Sequence, residues 1–536
     1  MAASLGINVL ALALPITILQ MYDRVIRRQS MSTLIVLTAM TLAAFALEFS
    51  LRSLRAWIMA QESARYDHRE NCRMLSRLLA AGIDSVRKDT PGTHADRFHA
   101  IQSVRAFYCQ AAALIADIPF IVVFVVLIAV IAGWMAVVPV ALLLVFASLG
   151  IAITRRLTVE TARREHTDIK RQNFLVECIG GITTIKSLAA EDLMQRRHER
   201  IAEEAADAVG ATARVNAQTQ SIASELAQAA SIITVVIGAI AVVNGALTIG
   251  GLAATTLLTG RLLQPVLKGL SILSRYPFIR LAEEKMRRMD ELVPQFKGTQ
   301  SISKHPQSGL KLEGVSFGYA HADKAVLDDI NLEIPPGRYI AITGQDSSGR
   351  STLLKLMNGL LTPSAGSIRY DNVPICLYDG IGLRRHIALI PIMPTIYAGT
   401  LLENLTVFET GDVQRRALAL CRVLGLAGYV ASLSRGLETQ LSGVGDMPMG
   451  IAQRISIVRS LAQNPRVVLF DTANASLDHD ADRMLLAFFA SQKGKRAAVF
   501  VTDRPSYLAL CDTVYEIIDG KLRERSVGNA QHLMAG

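Results

Sequence analysis

Residues 340 to 352 read IAITGQDSSGRST, an apolar run that enters a glycine-rich turn and leaves it into the helix-forming stretch STLLKLMNGL. A phosphate cradle needs this order of strand, glycine turn and helix, because backbone N–H groups and the positive end of a helix then converge on one anion. Gly344 and Gly349 stand at the two glycine positions, with Gln345, Asp346, Ser347 and Ser348 between them. Arg350 takes the place of the phosphate-binding lysine, and Ser351, followed by Thr352, puts a hydroxyl where Mg2+ would be held. Glycine spacing alone also fits an ordinary strand-to-helix turn. A second element narrows the choice: residues 466 to 471, RVVLFD, form a buried-strand pattern ending in an acid that would support the metal. By itself Asp471 could be a helix N-cap. Over a hundred residues of alternating short strands and helices separate it from the turn, the pattern of an α/β P-loop domain.

Upstream, residues 291 to 308, ELVPQFKGTQSISKHPQS, are polar and broken by Pro and Gly, as in a linker. The expected organisation is therefore a transmembrane domain over 1–290, a linker over 291–308 and a nucleotide-binding domain over 309–536. The first part holds six apolar stretches, at about residues 5 to 20, 33 to 50, 111 to 132, 134 to 154, 226 to 247 and 249 to 272, each near the length that crosses a bilayer. They pair into three hairpins through short turns: DRVIRRQS, Gly133, and NGALTIGG at residues 244 to 251. The connections between hairpins, about 51 to 110 and 155 to 225, are long, Arg-rich and poor in Pro and Gly, so they read as helices continuing into the cytosol. Arg24, Arg27 and Arg28 in the first outer turn oppose that orientation, but the two long basic segments outweigh them. No basic segment precedes the first apolar stretch, which reads as a retained helix rather than a signal peptide. Pro15, Pro119 and Pro139 are tolerable where neighbouring helices satisfy the freed backbone groups. Asp117, just inside the third stretch, reads either as part of a translocation path or as a carboxylate capping or pairing at a helix end.

Composition agrees with a membrane protein. A chain of 536 residues with 19% charged residues and a mean hydropathy of +0.33 is too apolar to be wholly soluble. The net charge of +10 follows from basic cytosolic segments, so nucleic acid is not an expected partner. The six cysteines lie far apart, with neither metal-ligand spacing nor the density of a disulfide framework. The charged helix at 191 to 225, with acids and bases interspersed, reads as a solvated or inter-subunit face.

With these residues in view the chain resembles the ABC exporters, and most closely the type I secretion permease/ATPase family that exports unfolded polypeptides from Gram-negative bacteria. In the membrane half the resemblance rests on LALALPITILQMYDRVI (residues 10 to 26) and FLVECIGGITTIKSLAAED (174 to 192). In the second half it rests on FGY with Tyr319, AVLDDINLEIPPGRYIAITG, AGTLLENL (398 to 405), RISIVRSLAQNPRVVLFD (454 to 471) and ASLD ending at Asp478. The resemblance implies a half-transporter of six membrane helices plus an α/β P-loop nucleotide-binding domain. It further implies the bacterial inner membrane with the nucleotide domain cytosolic, contact with membrane lipid, and ATP or ADP with Mg2+. As partners it implies a homodimer or heterodimer with another half-transporter, a periplasmic adaptor and an outer-membrane channel. Tyr319 would stack on adenine, and a coupling helix would lie near residues 163 to 174. No peptidase-like domain precedes the first span, so a leader-cleaving member is not expected.

The departures from the family pattern fall on its catalytic positions. Arg350 replaces a compact ammonium by a planar fork. Ile392, after Pro391, stands at the glutamine of the Q-loop; Thr472 replaces the glutamate general base, and its hydroxyl accepts no proton at neutral pH. Asp503 replaces the switch histidine and sets an anion where the γ-phosphate would lie. Residues 441 to 445, LSGVG, look like the LSGGQ signature. Counting back from RISIVRSL instead places the signature at MPMGI, residues 447 to 451, with Pro448 for the serine and Met449 for a glycine. An insertion would restore LSGVG. The expectation is an exporter subunit that binds nucleotide but hydrolyses ATP poorly or not at all, with no catalytic position intact. The alternative is a pseudo-ATPase scaffold or regulator partnered with an intact half-transporter.

Overall fold

The computed structural model describes residues 2–296, 298–303, 308–319 and 324–525, so residues 297 and 304–307 of the linker lie outside it. The chain divides into two compact units: residues 1–79 with 87–292, and residues 80–86 with 293–536. The short stretch 80–86 belongs with the second unit because the linker pairs with it: Gly82 N donates to Val293 O and Gln295 N to Ala80 O.

The first unit is helical. Four helical stretches among the described residues are long and apolar enough to cross a membrane: Ala3–Ile26, Met31–Ala80, Pro91–Gly180 and Glu191–Val243. The third contains the turn at Gly133–Ala136 and therefore two of the expected spans. Residues 249 to 272 lie in the helix Ile249–Asp290, which carries Arg261, Lys268 and a series of Gly and Thr and is less apolar. Its surroundings explain this. It packs against the helices Ala13–Gln20, Pro91–Ala132, Val137–Gly180 and Glu191–Val243 and has fourteen buried positions, so few of its side chains need to suit lipid. The helix Met31–Ala80 is its opposite, burying only Thr41, Glu48, Glu70 and Met74 and exposing Ile35, Met40, Leu47 and Phe49.

Two local features differ from the sequence expectation. The turn DRVIRRQS is mostly helical: Met21–Ile26 is a π-helical turn, which places Asp23 against the start of Ile249–Asp290. Asp23 accepts from Thr248 Oγ1 at 2.8 Å and from the Gly250 backbone at 3.2 Å, satisfying donors that a helix N-terminus leaves open. A Cβ on Gly250 would lie 2.6 Å from the Asp23 carboxylate, so glycine is needed there. The coupling helix expected near 163 to 174 is corrected, because those residues lie inside the continuous helix Val137–Gly180. The chain turns only at the glycine pair 180–181, and the short helix Ile182–Ser187 follows.

The second unit is built on a six-stranded sheet in the order Lys521–Arg525, Thr513–Ile518, Tyr339–Gly344, Ala497–Val501, Val467–Asp471, Ile387–Ile390. All pairs are parallel except the first, and the strands Val467–Asp471 and Ala497–Val501 are buried at every residue, as expected of a sheet covered on both faces. One core joins the sheet to the helices around Met449–Ala462 and His479–Gln492, the other to Arg350–Met357 and a smaller antiparallel sheet. That second sheet runs Leu327–Ile334, Leu310–Phe317, Ala365–Tyr370, Val373–Pro374.

Candidate functional site

Parallel strands in register end together, and the loops beyond their carboxyl ends then share one edge of the sheet. Here Val501 pairs with Asp471, Ile390 with Phe470, and Gly344 with Ile517. The residues that follow these ends, 345 to 350, Ile392, Thr472 and Asp503, come from distant parts of the sequence and share one sheet edge because of that register.

The glycine turn is fixed by its backbone. Gly344 has φ +148° and Gly349 φ +98°, and a Cβ at Gly349 would stand 2.9 Å from Val326 Cγ1. Gly349 also caps the helix Arg350–Met357, so its free N–H groups open toward the turn. The buried Ser348 hydroxyl has no hydrogen-bond partner, an open valence in the turn that a phosphate oxygen would fill. The next helical turn gives Ser351, whose hydroxyl donates to Asp471 Oδ1 at 2.8 Å. Burial pushes the Asp471 carboxyl above the usual aspartate range, opposed by the Ser351 hydrogen bond and by the charges of Lys355 and Arg350. These two oxygens suit a hard cation such as Mg2+ whose remaining ligands come from nucleotide phosphates and water. Among the described residues no cluster of three His, Cys, Asp or Glu forms a protein-only metal site.

Arg350 is held elsewhere. Its side chain is only 14% exposed; Nη1 donates to Asp503 Oδ2 and Nη2 to Asp346 Oδ1, each at 2.9 Å. A forked guanidinium can serve two carboxylates at once, whereas an ammonium is a point charge. The two sequence departures at 350 and 503 therefore form one pair, which reading each against the phosphate alone did not reveal. Their joint occurrence was the available signal.

Thr472 and Ile392 carry no ionisable side chain. Thr472 sits at φ +47°, unusual for a β-branched residue, and both its N–H and its hydroxyl donate to Val501 O, at 3.0 and 3.2 Å. Ile392 is 44% exposed. Sequence reasoning missed Gln453, a fully buried glutamine whose amide donates to Pro391 O at 3.0 Å while its Oε1 has no partner. Tyr319 packs edge-on to Phe317 at 5.0 Å between ring centroids, and its hydroxyl lies 3.1 Å from Thr352 Oγ1.

Pro448 is the N-cap of Met449–Ala462, and its carbonyl accepts from Ile451 and Ala452. Residues 441 to 445 do not begin this helix. Leu441 pairs with Gly399, and Asp446 closes the following turn by accepting from Ser442 N and Gly443 N.

A helical bundle with membrane-length apolar helices, joined to a P-loop domain with its glycine turn and acid-ended strand on one sheet edge, defines an ABC transporter chain. Two family matches agree: "ABC transporter transmembrane region" over residues 1–266 and "ABC transporter" over 327–475. The chain belongs to the ABC transporters, and the relatives it matches are named as secretion and translocation ATP-binding proteins. It is 25% identical to the cyclolysin secretion/processing ATP-binding protein CyaB of Bordetella pertussis, over 99% of this chain and 75% of that protein. It is 26% identical to the alpha-hemolysin translocation ATP-binding protein HlyB of Escherichia coli O157:H7, over 98% and 74%. The fold matches a bacterial Atm1-family ABC exporter solved with ATP bound, with a TM-score of 0.86 at 19% identity over 100% of this chain and 97% of that one.

Proposed function

We propose that this chain is one half of an inner-membrane exporter of the type I secretion kind, whose nucleotide domain holds nucleotide without turning it over at a useful rate. The observation that carries the reading is the Asp346–Arg350–Asp503 clamp beside a Thr472 whose hydroxyl is spent on Val501 O. Tyr319, the turn 344–349, Ser351, Thr352 and Asp471 would hold adenine, phosphates and Mg2+. When bound, Mg2+ would neutralise phosphate charge. Arg350 would have to leave two carboxylates to reach a phosphate; Ile392 and Thr472 would not deprotonate water, and the Asp503 carboxylate is held by Arg350 and would repel a γ-phosphate. Pro448, lacking an N–H and a hydroxyl, would weaken the composite site of a dimer partner as well.

The purified full chain tests this. Phosphate release close to background is expected; turnover like that of an intact exporter, lost on Asp471→Ala, would overturn the reading. By resemblance, both chain ends are cytosolic. An impermeant thiol reagent should then label Cys introduced at Gly133 or Ala246 and not at Ser303; labelling at Ser303 alone would reverse the topology. The relatives' names speak of toxin secretion and translocation. An adaptor, an outer-membrane channel and a second half-transporter are accordingly the partners to seek by co-purification.

A further inference from the structure

One cluster of charge in the first unit sits between apolar helices. Asn8, Arg52, Arg55, Asp117, Arg261 and Lys268 line a narrow cavity of about 40 Å³. Asp117 is buried at its centre: Asn8 Nδ2 donates to it at 2.9 Å, and Arg55 and Lys268 approach it at 3.7 and 4.0 Å. Arg52 pairs with Glu48. Among the described residues Arg261 has no hydrogen-bond or ion-pair partner. Four cations thus face two carboxylates, an excess of two positive charges in a part of the molecule made of apolar helices. Arg52 and Lys268 keep 49% and 61% of their side chains exposed, while Arg55 and Arg261 are more enclosed, and an unbalanced charge is costly away from water unless an anion or solvent compensates it.

Depth along the helices locates the cluster. At 1.5 Å per residue, Arg261 lies roughly 18 Å and Lys268 roughly 28 Å from the start of Ile249–Asp290, and Asp117 roughly 24 Å from the turn at Gly133. Arg52 is roughly 32 Å from the start of Met31–Ala80, so the cluster runs from the far half of a hydrocarbon core about 30 Å thick out to its edge. Basic side chains at a span's end commonly snorkel to the interface. Arg261 does not fit that description, because it stands about 10 Å deeper than Lys268 along the same helix yet lines the same cavity. A volume near 40 Å³ has room for a small group of about three water-sized atoms. A polypeptide in transit would need more. The cavity between Glu191–Val243 and Ile249–Asp290 is larger, about 620 Å³, and is lined by Asn216, Gln220, Ser224 and Gln228 with the single charge of Arg275.

We propose that the Arg52–Arg55–Arg261–Lys268 cavity binds the phosphate headgroup of an anionic phospholipid of the cytoplasmic leaflet. The lightly buried helix Met31–Ala80 supplies two of the cations and exposes apolar side chains along its length, so acyl chains have a surface beside the headgroup. The leaflet rests on the proposed topology; its failure would show in thiol labelling and leave headgroup binding unchanged.

The test uses the delipidated full chain in neutral detergent and fluorescent phosphatidylglycerol. Saturable binding is expected, weakened about fivefold by Arg261→Gln or Lys268→Gln and more by both together, since each such cation is worth about 1 kcal/mol. Arg65→Gln, an exposed residue outside the cavity, should leave it unchanged. Arg261→Lys and Lys268→Arg keep the charge and should retain most binding. Full binding by the double Gln variant, equal binding of phosphatidylcholine, or loss in the charge-keeping variants despite a native elution profile would overturn the proposal. Displacement by equimolar inorganic phosphate would make this a free-anion site, and displacement by polyglutamate but not by unlabelled phosphatidylglycerol a peptide site; either also overturns the lipid assignment.

Discussion

Two halves of the same sheet edge stand in contrast. The proposed phosphate and metal cradle, the turn 344–349 with the Ser351–Asp471 contact, has positive-φ glycines, an unpartnered Ser348 hydroxyl and a buried acid. After the neighbouring strand ends, the positions that we propose would supply catalysis in the family hold Ile392, Thr472 and Asp503. The cradle is made largely of backbone and is tied to the strand register and the core, so its loss would cost the fold. Ile392, Thr472 and Asp503 lie in the loops after the strands, and Asp503 is 67% exposed, so the core depends little on its side chain. Chemistry can leave such positions while the domain remains folded.

The most severe way to break the contrast is to install the family residues at these positions. Combining Thr472→Glu, Ile392→Gln, Arg350→Lys and Asp503→His should raise ATP turnover of the purified chain about a hundredfold or more, the usual scale of general-base help. No gain while nucleotide still binds would place the defect elsewhere, with Pro448 the next position to change. A single substitution addresses the clamp. Asp503→His frees one arm of Arg350 and removes an anion, and should tighten ATP about tenfold in calorimetry, more than it tightens ADP. A strong preference for ATP in the unaltered chain, unchanged by Asp503→His, would remove Asp503 from the phosphate site.

The cradle itself can be challenged through Gly349. Gly349→Ala forces a Cβ against Val326 at φ +98° and should lower stability by about 1–3 kcal/mol, read as an earlier thermal transition of the second unit. The smallest effect concerns Asp471. Because burial raises its carboxyl above the unfolded value, the ionised form opposes folding at neutral pH, and this cost disappears once pH falls below the ordinary aspartate value of about 3.9. Asp471→Asn should therefore stabilise the nucleotide-free chain modestly at pH 7, with the difference vanishing near pH 3.5 or below. A difference that persists there would make it a packing effect.

Much of this was legible in residue order. The hydropathy of five spans, the hairpin turn at Gly133 and the strand–turn–helix at 340 to 352 follow from local pattern, because apolar length and glycine placement act within a few residues. The less apolar helix Ile249–Asp290 shows the limit: its polar residues are acceptable because other helices surround it, which no window along the chain records. The position of the short helix at Ile182–Ser187 was missed for another reason, since composition does not say where a long helix ends until a glycine pair is weighted as a stop.

The sequence by itself determined that apolar spans precede a P-loop domain, and which residue types stand at each motif position, because motifs are contiguous and periodicity is local. Only the tertiary structure decided that Arg350 answers Asp346 and Asp503, that Gln453 holds Pro391, that Asp23 caps the helix beginning at Ile249, and that Asn8, Arg55, Asp117 and Lys268 share one cavity. Partners separated by 62 to 227 residues make most of those contacts, and side-chain hydrogen bonds and ion pairs act over about 3 Å, a distance that strand register and helix packing set and residue order does not.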